Sequence, residues 1–137
     1  MKRSVTLQPL SREHHAALKL AKACERAVLA SCDVTLAQTC QLVLQAYKDE
    51  LAGHFLCEEK TLLPLLIGTP EQALAQRTVS EHRQLYALLA GLRRNDKDAL
   101  HRFGLGLAAH VRFEERELFP ALEIKLDERN KTAKKHE

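Results

Sequence analysis

The chain has 137 residues, 45% hydrophobic and 28% charged, with 21 Lys+Arg against 18 Asp+Glu for a formal net charge of +3. This is ordinary globular composition for a single domain and argues against a disordered or fibrous chain. Aromatic residues make up 4% with no Trp, and five Gly and four Pro are too few for many turns, so an all-β core is excluded in favour of Ala, Leu, Glu, Lys, Arg and Gln helices.

The first helix follows Pro9 and Leu10, takes Ser11 as its N-cap and runs to about Ala30, before the break at Ser31, Cys32 and Asp33. A second begins near Thr35 and carries Leu44, Tyr47, Leu51, His54, Glu58, Leu62 and Leu65 in alternating steps of three and four, ending by Gly68. The third is announced by Thr69 as cap, Pro70 at the first helical position and Gln72 in capping-box spacing, and should reach about Arg94. Asn95 and Asp96 mark the next turn. The fourth holds Phe103, Leu107, His110, Glu114, Leu118 and Ala121 in the same rhythm, and Pro120 is expected to kink or stop it. Helices of roughly 20 to 30 residues with short connections predict an all-α, antiparallel four-helix bundle. One domain fills residues 1–137, with its helical core at about 10–126 and a solvated basic tail over 127–137 that includes Lys131, Lys134 and Lys135.

The charge excess is too small for a nucleic-acid footprint. Met1 to Leu10 shows two basic residues without a following apolar run, and no stretch suits a membrane span. A cytoplasmic protein with no nucleic-acid or membrane partner is expected. Cys24, Cys32, Cys40 and Cys57 form no C-x-x-C pair and are read as reduced thiols, with Cys57 a small buried one.

A repeat carries the chemistry. His54-Phe-Leu-Cys-Glu58-Glu59-Lys-Thr-Leu62-Leu-Pro64 and His110-Val-Arg-Phe-Glu114-Glu115-Arg-Glu-Leu118-Phe-Pro120 both read H-x-x-x-E-E-x-x-L-x-P. Glu13-His14, followed by Ala17, Leu20 and Ala21, matches Glu81-His82, followed by Leu85, Leu88 and Leu89. The chain is thus two copies of one helical hairpin. Residues four apart share a helix face, so His54 lies beside Glu58 and His110 beside Glu114, on the apolar stripe. A core carboxylate is costly without a compensating charge, and two at one depth repel each other. Imidazoles beside carboxylates form a mixed N/O set suited to a transition metal. With a His on each remaining helix, the set predicts a dinuclear centre with bridging carboxylates.

Glu59 and Glu115 sit one step round the helix and are expected to be solvated. Turning His14 inward places Ala17, Leu20, Ala21, Cys24 and Val28 on an apolar face, whereas the His15 register would turn Lys22 and Glu25 inward, so His14 is chosen and His15 is the alternative. His101 and His136 fall off the stripes and are expected at the surface.

From about Leu10 to Leu126, these residues resemble the hemerythrin-like family, the HHE cation-binding domains. The resemblance implies an up-and-down bundle around two non-haem iron ions with an oxo or hydroxo bridge. It also implies the ligand set His14, His54, Glu58, His82, His110 and Glu114. Two departures bear on function. The oxygen carriers of this family have a further His where Thr78 stands, and an Asp five residues after the fourth-helix His, whereas Glu114 follows His110 by four. Fewer imidazoles should leave an open or water-filled position that favours O2, NO or peroxide reaching the metal but weakens reversible oxygen carriage. The ferritin-like di-iron proteins use Glu-x-x-His, carboxylate first with a step of three, which is not the pattern here. The expected function is a di-iron protein that binds or senses O2, NO or a related redox ligand, more a binder than an enzyme. The alternatives are a metal-dependent peroxide or NO redox enzyme and a bundle stabilised by zinc or another divalent cation. No acid-base or nucleophile constellation stands apart from the metal set, so no separate catalytic residue is assigned.

Overall fold

In the computed structural model, which describes residues 3–135 and their side chains through 131, α1 runs Gln8–Ala30. Pro9 lies in its first turn, where a missing N–H leaves no intrahelical bond unmade. The N-cap is Leu7 and not Ser11: the Leu7 carbonyl already accepts from Ser11 N–H at 2.9 Å, and the Ser11 hydroxyl donates instead to Glu115 Oε2 at 2.8 Å. Ser31, in the left-handed region at φ 52°, ends the helix.

The second helix, α2, spans 33–66 and starts two residues earlier than expected, at Asp33. It is built from Asp33–Ala46, a π-helical turn Tyr47–Leu51, Ala52–Cys57, a second π-helical turn Glu58–Leu62, and a 3-10 turn Leu63–Leu66 that contains Pro64. Helix α3 spans 72–93, as Gln72–Ala87 and Leu89–Arg93 joined through Leu88. Thr69 is not its N-cap, because the helix begins later. Thr69 Oγ1 accepts from Glu71 N–H at 3.2 Å while Gln72 Oε1 accepts from Gly68 N–H at 2.7 Å, so the two side chains secure the turn before the helix. Gly68 itself sits at φ 78°, which suits a residue without Cβ.

Helix α4 spans 97–135, as Lys97–Phe113, a π-helical turn Glu114–Leu118 and Phe119–Lys135. Asp96 caps it by accepting from Asp98 N–H at 3.0 Å, after Asn95 has turned the chain at φ 56°. Pro120 does not stop the helix. The missing N–H and the ring's push on the carbonyl one turn back are taken up by the wide turn just before it, closed by Phe119 N–H donating to the Glu114 carbonyl.

The helices form an antiparallel up-and-down four-helix bundle, with no strand among the described residues. Helices α1 and α4 approach closely because Gly104 has no side chain: a Cβ there would lie 2.8 Å from Cys24 Cβ and 3.2 Å from the Ala21 carbonyl. The apolar core falls into two clusters. One contains Ala17, Val43, Phe55, Leu85, Phe103 and Leu107, the other Leu7, Leu66, Phe113, Leu118 and Phe119. Between them along every helix lies a polar layer. No helix among the described residues is long and apolar enough to cross a membrane.

All four cysteines are free. Cys24 and Cys40 are buried, and burial, with Cys40 nearby, pushes the Cys24 thiol up to about 12. Cys57 is exposed rather than buried, because the turn that points Glu58 inward swings its predecessor outward. His101 is exposed as expected, and Asp127 to Lys131 are exposed on a helix. The side chains of Lys134 and Lys135, and His136 altogether, lie outside the described residues.

Candidate metal centre

The polar layer gathers one His from each helix and one Glu from each of α2 and α4. His14, His54, His82 and His110 are at most 5% exposed, and Glu58 and Glu114 are fully buried at 0%. His14 is buried and His15 exposed, so the side chain that the wheel turns inward is the one that joins the layer.

All four Nε2 atoms point at the two carboxylates. His14 Nε2 lies 2.8 Å from Glu114 Oε1 and His82 Nε2 lies 3.0 Å from Glu58 Oε1. The i,i+4 pairs face each other at 3.2 Å for His54 Nε2 and Glu58 Oε2, and at 3.1 Å for His110 Nε2 and Glu114 Oε2. Those last four atoms are buried without a hydrogen-bond partner. Buried polar atoms are normally paired, so orphans whose lone pairs converge are what a cation site requires. The donors fall into two groups, His14, His54, Glu58 and Glu114, and Glu58, His82, His110 and Glu114, each with its donor atoms within 4.8 Å of one another. Both groups could hold a metal ion, and both use the same two carboxylates.

The hemerythrin HHE cation-binding domain description matches residues 5–122. The chain belongs to that family. Comparison with curated proteins and with solved structures returns no significant match.

This hemerythrin-family chain is thereby a metal-binding protein, and the polar layer extends beyond the six residues that the pattern singles out. Each imidazole donates its second nitrogen to an outer carboxylate. His14 Nδ1–H reaches Glu115 Oε2 at 2.6 Å, His82 reaches Glu59 Oε2 at 2.7 Å, His110 reaches Glu81 Oε1 at 2.7 Å and His54 reaches Glu13 Oε1 at 3.3 Å. Expected to be merely solvated, Glu59 and Glu115 in fact orient the rings from α2 and α4. Glu13 and Glu81 do the same from α1 and α3. The signal was present in the doublets Glu13-His14, Glu58-Glu59, Glu81-His82 and Glu114-Glu115. Successive helical residues point about 100° apart, so the neighbour of an inward residue lies at the flank, within reach of the next helix's ring.

Fixing Nδ1–H in this way leaves Nε2 turned inward, as the nitrogen that a bound cation would meet. Two of the outer carboxylates are themselves held. Arg3 and Ser11 both donate to Glu115, and Arg77 Nε donates to Glu81 at 2.8 Å. Rings flank the layer as well: Phe55 stacks on His82 at 4.1 Å and Phe119 on His14 at 5.2 Å. Thr78 is buried, but its hydroxyl is committed to the Leu74 carbonyl at 2.8 Å.

The electrostatics reflect carboxylates that need positive charge. Burial works against both charged partners. The close carboxylates of Glu114 and Glu58 nevertheless lift His54 to about 10, and those of Glu114 and Glu81 lift His110 to about 9. Burial would raise Glu114, yet the imidazoles of His110, His14 and His54 close around it outweigh burial and hold this carboxyl well below its usual range. Glu58 goes the other way, raised by burial and by the charge of Glu114. Two buried carboxylates at one depth thus share a limited supply of positive charge, which imidazolium protons provide and a metal can provide better.

An outer carboxylate acts on metal through its ring. Glu115→Gln and Glu59→Gln are each expected to weaken metal binding by roughly 10-fold to 100-fold in competition against a chromophoric chelator, with helicity unchanged. Glu13→Gln should cost less, because its contact is longer at 3.3 Å and its side chain is 48% exposed.

Proposed function

We propose that this protein binds a pair of non-haem irons and uses them to bind or sense O2, NO or a related redox ligand. The observation that carries this reading is the pair of donor groups built on the same two carboxylates, each completed by two imidazoles with Nδ1–H already committed. His14 and His54 would hold one ion, His82 and His110 the other, and Glu58 and Glu114 both. Iron held there supplies an electron-rich centre for a diatomic or peroxide ligand, and the oxygen and nitrogen donors suit it. The protein's part is to fix the imidazoles, exclude bulk water with the two apolar clusters and balance charge with the outer carboxylates.

A binder is favoured over an enzyme because every acidic or basic side chain of the inner layer belongs to the two donor groups themselves, which leaves no separate group to move protons to a substrate. We place the protein in the cytoplasm, as a single domain, with the six inner residues as its ligands. Elemental analysis of chain purified aerobically from iron-replete cells, joined to an optical spectrum with and without O2 and NO, tests the reading. Iron pairs with near-ultraviolet and visible bands that change on adding a ligand are expected. Zinc at the same stoichiometry, without those bands, would overturn the redox role and leave a cation that only stabilises the bundle.

A further inference from the structure

The two halves of the repeat are not equally closed. A cavity of about 650 Å3 lies between α1 and α2, has its floor on α4 and reaches His14, His54 and His110 at its inner end. The corresponding hollow between α3 and α4 is lined by Glu81, Leu85, Leu88 and Arg102 and touches none of the four imidazoles. Two substitutions within the repeat account for the difference. Where α3 places Leu85, buried at 2% exposure, α1 places Ala17, and where α2 places Phe55 against His82 and His110, α4 places Val111. Each exchange removes side-chain volume on the same side of the polar layer.

A diatomic molecule does not need such a space, which is in the size class that encloses an organic ligand. Away from the imidazoles its walls are aliphatic, with Ala16, Leu20 and Ala23 on α1 facing Leu42 and Ala46 on α2. From Arg12 to Ala23 this trough follows α1 for about 16 Å at 1.5 Å per residue. Two cations, Arg12 and Lys19, line the trough and have no ion-pair or hydrogen-bond partner among the described residues. Glu13 is engaged with His54, and Glu50 is the other acid on the rim. An aliphatic trough with unpaired cations along one wall complements a molecule with an alkyl chain and an anionic head.

We propose that the α1–α2 cavity binds a medium-chain aliphatic carboxylate, its head on the Arg12 guanidinium and its chain along Ala16, Leu20, Ala23, Leu42 and Ala46. Arg12 is the anchor because its planar fork matches a carboxylate in two parallel hydrogen bonds, and Lys19 adds positive field. A head group at Arg12 sits at the level of His14 on α1 and covers the approach to the His14 and His54 side of the centre. That last consequence rests on the metal reading above, whereas the binding itself does not.

Isothermal titration of the metal-loaded full chain with decanoate, below its micelle concentration, tests this. Saturable one-to-one binding is expected. Arg12→Gln should weaken decanoate roughly tenfold and leave decanol unchanged, since only the charged head is lost. Ala16→Phe, which fills the trough from an exposed position on α1, should abolish binding of both. Iron content measured on the same samples separates the two readings: decanoate bound to a chain that holds no iron overturns the metal reading alone. Iron retained with no saturable decanoate binding, or with binding indifferent to both variants, overturns this one. Concentration-dependent dimerisation abolished by Ala16→Phe, without decanoate binding, would assign the trough to a second copy and overturn it too.

Discussion

Replacing Glu58 and Glu114 by alanine together is expected to empty both halves of the centre, taking the purified chain from a pair of metal ions to less than one. The expectation follows from sharing. Each carboxylate belongs to both donor groups, so its loss removes an oxygen from each, whereas loss of His54 or His82 removes a nitrogen from one group only. Glu114 should be the more damaging single change, because its oxygens face His14, His54, His82 and His110, at 2.8, 3.7, 4.0 and 3.1 Å. Truncation alone also leaves a cavity and unpaired imidazoles in a buried layer, which costs stability on the order of 2 to 5 kcal/mol whatever the metal does. Glu114→Gln separates the effects, since it keeps the volume and removes the charge. Metal analysis should report loss in Glu114→Gln while circular dichroism reports an intact bundle. Full metal stoichiometry in the double alanine variant would mean that the carboxylates are structural and that the metal reading is wrong.

The inner layer was legible because burial and repetition act on spacing. A His and a Glu four apart on an apolar stripe must both point inward, and doing so twice leaves no surface explanation for either. The choice of His14 over His15 followed from the same physics, as its register turns Ala17 and Cys24 inward. The outer carboxylates were not legible that way. Glu59 and Glu115 read as solvated because a helical wheel describes one helix, and their partners His82 and His14 belong to other helices.

The π-helical turns were hidden for a related reason. Two of the three begin at a layer glutamate, Glu58 and Glu114, and end near a proline, Pro64 and Pro120. The extra residue in each turn lets the wheel resume in the other apolar cluster with Leu62 and Leu118 inward. A stripe counted in threes and fours passes across such a turn without registering it. The open α1–α2 cavity was equally invisible from the motif, which is symmetric; it arises from Ala17 and Val111, residues that count as ordinary core on any single helix.

Raising the pH from 6 to 10 is expected to destabilise the metal-free chain and to tighten metal binding. His54 and His110 titrate near 10 and 9 in the fold, against 6.5 when unperturbed. Between those values the folded chain holds protons that the unfolded chain has released, so their contribution is complete below 6.5 and is lost as pH rises through 9 and 10. Glu58, raised above 4.5 by burial, has the same sign. Glu114, Glu115 and Glu81 have the opposite sign: their lowered values contribute stability above 4.5 that disappears on acidification. The metal-free chain should therefore be most stable between 4.5 and 6.5, and should lose on the order of a few kcal/mol by pH 10 as two buried imidazolium ions give up their protons. Metal reverses the slope. A cation takes the place of the protons on Nε2 and must displace them to bind, so each proton it no longer displaces at higher pH tightens binding. Urea denaturation at pH 6 and pH 9.5, with chelator and with stoichiometric metal, reads both slopes at once. If the chelated chain grew more stable over that range, the imidazole and carboxylate pairs of the layer could not be the groups that hold its four helices together.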